Sequence, residues 1–310
     1  MDFSFTDEQQ ELRREARSWL AERYPLDRDW QTETFAWDEL AELGWLGVSV
    51  PEEEGGAGLG FVEEAIVLEA LAYALYPGPY LATVGFALPW LAPEQRAQVA
   101  AGAQRWSVEV DGLVPWLGSV DFVVADRGTA YPARGVEEES VDPSRPLGRL
   151  ERSAGMPLAG AENVPRARTA AACEAVGVAQ RALDLGIEHA KTREQFGRPI
   201  GVYEAISHPL ADTYADVELA RSLAYWAAWC VATGDEQAAP AAAAAKAFAT
   251  EAAVAACERS IQVHGGSGFT WEHPLHRCYK RALWLEAFGG APSGLRAEVA
   301  DAILGVAVGV

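Results

Sequence analysis

Between positions 166 and 304, apolar residues recur at the spacing of helix turns, broken only by short segments carrying Gly or Pro. The spacing predicts helices over 166–191, with Val176, Leu183 and Ile187 on one face, and over 202–232, with Leu219, Leu223 and Trp226 along one stripe. A third runs from Pro240, which suits a first helical position, to about position 263. Its alanine run at 241–245 favours helix and lets neighbouring helices approach closely. Segments 275–288 and 292–304 complete the set. Long helices joined by short turns are predicted to run antiparallel as a four-helix bundle.

Towards the N-terminus, Thr6-Asp-Glu-Gln9 has the form of a capping box and opens a helix to about Arg23, with Leu12, Ala16, Trp19 and Leu20 as its apolar face. Further helices are expected over 35–43, closed by Gly44, and over 61–75, 80–91 and 93–101. The stretch 44–59, with Pro51 and a glycine cluster, reads as a long turn. From Gln104 the period shortens. Trp106-Ser-Val-Glu-Val110 and Asp121-Phe-Val-Val-Ala125 have the pattern of strands, which predicts a small antiparallel β unit. The expected class is therefore mainly α: an N-terminal helical domain at 1–103, a reduced middle β domain at 104–164 and a C-terminal helical bundle at 165–310.

Half of the 310 residues are apolar, which is ample for a core. A net charge of −20 argues against nucleic acid and against an anionic membrane surface as partners. Cys173, Cys230, Cys257 and Cys278 form no C-x-x-C pair and lie in helical patterns, so buried reduced thiols are expected. The acidic start, Met1 to Glu8, lacks the apolar centre of a signal peptide, and no apolar run reaches membrane-spanning length, so a cytoplasmic location is expected.

Two glycine-bearing turns stand at helix boundaries: Arg193-Glu-Gln-Phe-Gly-Arg-Pro-Ile200 and Gln262-Val-His-Gly-Gly-Ser-Gly268. At such places backbone N–H groups can approach a phosphate, and a guanidinium can fork onto its oxygens. By themselves Arg193 reads equally as a solvated charge, and Gly265-Gly266 as a helix C-cap. Together with His208-Pro-Leu-Ala-Asp212, in this order and spacing, the motifs resemble those of flavin-dependent acyl-CoA dehydrogenases over 1–103 and 164–305.

The resemblance implies that Arg193 meets the pyrophosphate of FAD, that Gln195 and Phe196 line its adenine half, and that Gln262, Gly265 and Gly266 receive the other side of that half. In the family these motifs serve a flavin held mainly by the neighbouring subunit. The family's catalytic Glu has no counterpart here. Gly289 in Phe288-Gly289-Gly290-Ala291 stands at its usual place, and Ala167 at its alternative place. The Thr-Glu-Pro and Trp-Ile-Ser/Thr stretches that hold the flavin ring are also missing from 104–164.

These losses and retentions together resemble the short, non-catalytic subunit of α2β2 heterotetrameric acyl-CoA dehydrogenases from actinobacterial steroid side-chain degradation. The resemblance implies an oxidoreductase of lipid metabolism and a full-length partner that carries the catalytic Glu, a complete β domain and the acyl-CoA pocket, with FAD shared between the chains. Two alternatives stay open. One is a homo-oligomer with its base displaced to Glu174 or Glu286; the other is a flavin-free scaffold on the same fold. His264 fits the glycine turn structurally, and His189 and His208 read as packing or surface residues. His273 and His276 lack partners at metal-ligand spacing, so no metal is expected.

Overall fold

The computed structural model describes residues 5–28 and 34–305. Residues 1–4, on which part of the signal-peptide reading rests, and the expected bundle residues 306–310 lie outside them. Helix α1, Asp7–Arg23, starts at the expected capping box, in which the Thr6 hydroxyl accepts from Gln9 N and the Gln9 side chain from Thr6 N. It is followed by α2, Trp37–Glu42; α3, Phe61–Tyr73; and α4, Pro93–Ala100. Glu69 of α3, buried among helices, accepts hydrogen bonds from Arg13, Arg17, Arg221 and Tyr225. A carboxylate taken out of water needs such partners.

The helix expected over 80–91 is not continuous. Leu81–Ala87 winds as a π-helix and Leu88–Trp90 as a 3₁₀ turn. Pro89 cannot donate an amide hydrogen bond, which disfavours a regular helix here. The wide turn is tied to the next unit through Thr83, whose hydroxyl donates to Trp106 O at 2.7 Å and accepts from Trp106 N at 3.0 Å.

The middle unit carries seven strands: β1 Trp106–Val108, β2 Val114–Pro115, β3 Phe122–Ala125, β4 Thr129–Pro132, β5 Gly135–Glu138, β6 Leu147–Leu150 and β7 Met156–Pro157. They form two small sheets, ordered β1-β3-β4-β7 and β2-β6-β5. The antiparallel expectation needs correction, because β1 pairs with β3 in parallel, Ser107 opposite Val123. The second sheet and the rest of the first are antiparallel. Two buried ion pairs clamp the unit to the bundle. Arg281 Nε donates to Asp142 at 2.6 Å, and Arg145 Nη2 to Glu174 at 2.6 Å.

The C-terminal helices are α5 Val164–Thr192, α6 Glu204–Thr233, α7 Ala238–His264, α8 Leu275–Ala287 and α9 Pro292–Leu304. The hairpin β8 Glu194–Gln195 and β9 Arg198–Pro199 joins α5 to α6. Helix α7 is central, packing on α5, α6, α8 and α9, with Ala241, Ala245, Ala249, Ala253 and Ala256 buried along its length. The stripe expected on α6 differs: Leu219 is 56% exposed, and Leu223 and Trp226 are half-buried. Val217, Ala220, Ala224 and Ala227 face the core instead. In both helices small residues set the close packing. All four cysteines are buried and free, as expected. Among the described residues, no helix is long and apolar enough to cross a membrane.

Candidate functional site

Two places matter, towards opposite ends of α7. At its C-terminal end the two glycine-bearing motifs share one end of the bundle. His189 near the end of α5 stacks on His264 at the end of α7, ring centroids 4.1 Å apart, and His273 closes on His264 at 4.4 Å. His264 Nδ1 lies 2.8 Å from Ser260 O. Burial lowers the pKa of all three imidazoles and, with the neighbouring His rings, pushes His273 down to about 4. Neutral rings can stack without mutual repulsion, so this contact fixes the Arg193 hairpin beside the Gly265 turn.

The hairpin turns through Phe196 at φ +51° and Gly197 at φ +77°. Two successive left-handed residues suit a tight β-turn, but for Phe the conformation is unfavourable. Its ring is 93% exposed, with only an edge contact to Tyr203 at 6.3 Å. Arg193 is held through its backbone, N to His189 O at 2.8 Å and O from Ile200 N at 2.9 Å, while its exposed guanidinium has no partner among the described residues. The Gln195 side chain donates to the neighbouring Glu194 carbonyl at 2.7 Å, and its own backbone carbonyl accepts from the Tyr203 hydroxyl at 3.2 Å. Gln262 is exposed and likewise without a side-chain partner among the described residues. Gly265 has φ +62° and ψ −137°, a combination essentially confined to glycine. Gly266 is different: a Cβ there would meet nothing within 4 Å, so no local packing requires glycine. The six residues thus form an exposed, donor-rich surface able to receive a phosphate-bearing ligand.

Towards the other end of α7, Ala167 and Gly289 line one cavity of about 470 Å³, although they lie far apart in sequence. Phe86, Val108, Val124, Ala171 and Phe288 give it apolar walls. Phe288 stacks on Phe86 at 6.1 Å and on Trp284 at 4.6 Å. Neither Ala167 nor Gly289 can take a proton. Glu174 lies instead in the buried pair with Arg145, and neither it nor half-buried Glu286 lines the cavity. Burial raises the Glu286 pKa, and Glu251 adds to the effect.

The cavity also contains a residue that sequence reasoning did not single out. Lys246 is 2% exposed, and its ammonium donates to Gly290 O at 2.7 Å. Burial pushes its pKa down to about 8, with Arg168 adding to the effect and Glu286 opposing it. A lone lysine inside a run of alanines was the available signal, since such a run is predicted to be closely packed.

Models of the acyl-CoA dehydrogenase N-terminal domain and C-terminal domain match residues 6–96 and 154–304. Acyl-CoA dehydrogenase IpdE2 of Mycobacterium tuberculosis is 37% identical over 262 residues, 79% of this chain and 79% of IpdE2. The chain belongs to the acyl-CoA dehydrogenase family. FadE34 of the same organism is 34% identical over 297 residues, which are 86% of this chain and only 42% of FadE34. Among solved structures, the Mycobacterium tuberculosis ChsE4–ChsE5 complex superposes with a TM-score of 0.86 at 24% identity, covering 98% of this chain and 99% of the other. A variant of the Tcur3481–Tcur3483 steroid ACAD gives 0.85 at 27% identity, covering 96% and 98%.

The family's cofactor is FAD. Its pyrophosphate suits the free Arg193 guanidinium and the open backbone at Gly266. This chain's own cavity has neither the ring-holding stretches nor a carboxylate at Ala167 or Gly289.

Proposed function

We propose that this chain is the non-catalytic subunit of a hetero-oligomeric, FAD-dependent acyl-CoA dehydrogenase of α2β2 type. One observation carries the reading. Ala167 and Gly289, which stand where the resemblance puts the family's base, converge on one cavity, while Arg193 and Gln262 are exposed and have no side-chain partner among the described residues. The name of the Tcur3481–Tcur3483 steroid ACAD pairs two components, which supports both the two-chain arrangement and a bulky steroid side-chain CoA ester as substrate class.

In the assembly Arg193 would hold the flavin pyrophosphate through its guanidinium. Phe196 and Gln195 would line the adenine half. Gln262 and the backbone at Gly265 and Gly266 would receive the other side of that half. The histidine stack keeps these two groups in register. Bound FAD would supply the hydride acceptor for the acyl β-carbon; neither Ala167 nor Gly289 can take the α-proton, so that role would fall to a Glu of the partner. A cytoplasmic location in lipid or steroid degradation fits this role.

The test is the visible spectrum of the chain purified alone and after co-expression with a full-length dehydrogenase encoded beside it. A colourless lone chain and a yellow complex with equal amounts of the two chains are expected. A lone chain that binds FAD and oxidises an acyl-CoA overturns the proposal. A complex without flavin points to the scaffold alternative.

A further inference from the structure

Lys246 carries a positive charge that the fold does not balance. Of its three N–H donors, one is taken by Gly290 O, and no carboxylate pairs with it among the described residues. Arg168, also in the cavity wall, adds positive charge there, although its guanidinium is paired with Glu298 at 2.5 and 2.9 Å. Glu286 opposes the depressed pKa without forming an ion pair. A buried ammonium without a counter-charge is unfavourable, and an anion placed against it relieves that cost.

The space beside it has a definite character. The walls are apolar and aromatic, and the small side chains at Ala167, Ala171, Gly289 and Gly290 leave the volume open. The remaining acidic residues do not approach Lys246 as partners. Asp111, Asp126 and Glu162 are exposed at the rim beside the exposed Arg127, and Arg152 pairs with both Asp126 and Glu109.

We propose that this cavity binds an apolar monocarboxylate, whose carboxylate accepts hydrogen bonds from Lys246 and whose hydrocarbon body packs against Phe86, Phe288 and Val124. The site is separate from the flavin-facing surface, about 27 Å away along α7 at the helical rise per residue. A compact carboxylate matches one ammonium in an apolar chamber. A thioester is neutral where the charge is needed. A glutamate at position 167 or 289 would have brought a carboxylate into the same chamber; here an exogenous acid takes that place. The proposal extends the non-catalytic reading, because a flavin in this cavity would leave no room for the acid.

The experiment is calorimetric titration of the full chain, alone and in complex with its partner, with decanoate, decanol, decanoyl-CoA and the bulkier carboxylate cholate. At least one carboxylate is expected to bind once per copy of this chain. Decanol and decanoyl-CoA are expected to bind about tenfold or more weakly than that carboxylate, the scale of a lost charge-assisted hydrogen bond. Affinity should fall from pH 7 to pH 10 as Lys246 loses its proton. Lys246→Met should remove the preference for the acid. Ala167→Phe leaves the ammonium in place and should block carboxylate binding by filling the chamber. Failure of both carboxylates to bind, decanol binding as well as they do, an affinity indifferent to pH, or unchanged binding by Ala167→Phe each overturns the proposal. A yellow lone chain with flavin in this cavity overturns both this inference and the non-catalytic reading. A colourless chain that takes no carboxylate overturns this inference alone.

Discussion

The two ends of α7 show opposite solutions to placing polar groups. At the His264 end Arg193 and Gln262 are exposed with no side-chain partner among the described residues, and the backbone is left-handed at Phe196, Gly197 and Gly265. At the Lys246 end a charge is buried, the walls are apolar, and the residues at the family's acid positions are the two smallest. An exposed group without a partner costs little, because water serves it; a buried one is costly. The exposed groups at the outward end therefore cost little, whereas the buried Lys246 at the inward end carries a desolvation cost that lowers its pKa to about 8. A subunit that contributes to its neighbour's site while having lost its own would show this asymmetry.

The comparison is tested most severely at the wall behind the cavity. Arg145 lies over Trp116 and Trp284 at 4.6 and 5.2 Å while paired with Glu174. Arg145→Met leaves Glu174 buried without its counter-charge, and a loss of about 3–5 kcal/mol in chemical denaturation is expected. If Glu174 were instead a displaced base, freeing it would change activity per folded molecule; the same kcat in the complex is expected.

Next in size is the outward end. Arg193→Ala removes an exposed guanidinium with no hydrogen-bond or ion-pair partner among the described residues, so the melting temperature of the lone chain should hardly move. Flavin affinity of the complex should fall about 10- to 100-fold, read by fluorescence of released FAD. A large loss of stability with unchanged flavin affinity would break the contrast between the ends.

Lys246 gives a pH signature of the inward end. The unfolded lysine keeps its proton to about 10.4, the folded one only to about 8. Between those values the unfolded state binds more protons, so this group makes folding more favourable as pH rises. Wild type should gain on the order of 2 kcal/mol relative to Lys246→Met between pH 8 and pH 10, measured by paired urea melts. A constant gap between the two would show that the ammonium is not buried as described.

Much of the helical frame was legible because its determinants are local. The capping box at Thr6, the left-handed Gly44 just past α2 and the boundaries of α9 follow from neighbouring residues, whereas α7 starts at Ala238, so Pro240 is its third residue and not its first. What failed depends on distant partners. Leu219 looked like a core residue because it is large, yet packing against α7 selected the alanine face of α6. The parallel pairing of β1 with β3 requires a chain path that strand pattern does not encode. At the sites, Arg193 and Gly265 were found through motifs, and Ala167 and Gly289 through missing ones. Lys246 escaped because its meaning comes from separate segments, among them those of Phe86, Val108, Val124, Ala167 and Gly289, that close around it.

The smallest expected effect separates backbone from chemistry at the inward end. Gly289 has φ +73°, and a Cβ there would meet nothing within 4 Å. Gly289→Glu therefore carries a conformational penalty rather than a clash, about 1 kcal/mol. Ala167→Glu places a carboxylate in the same cavity from the regular helix α5, without that penalty. Either carboxylate can face Lys246, so the difference between the variants isolates the backbone: Gly289→Glu should be less stable than Ala167→Glu by about 1 kcal/mol at pH 7. Neither lone variant should oxidise an acyl-CoA, because a restored base does not restore the segments that hold the flavin ring. Turnover by either would mean that the inward end lost only its base, and the contrast between the two ends would shrink to one substitution.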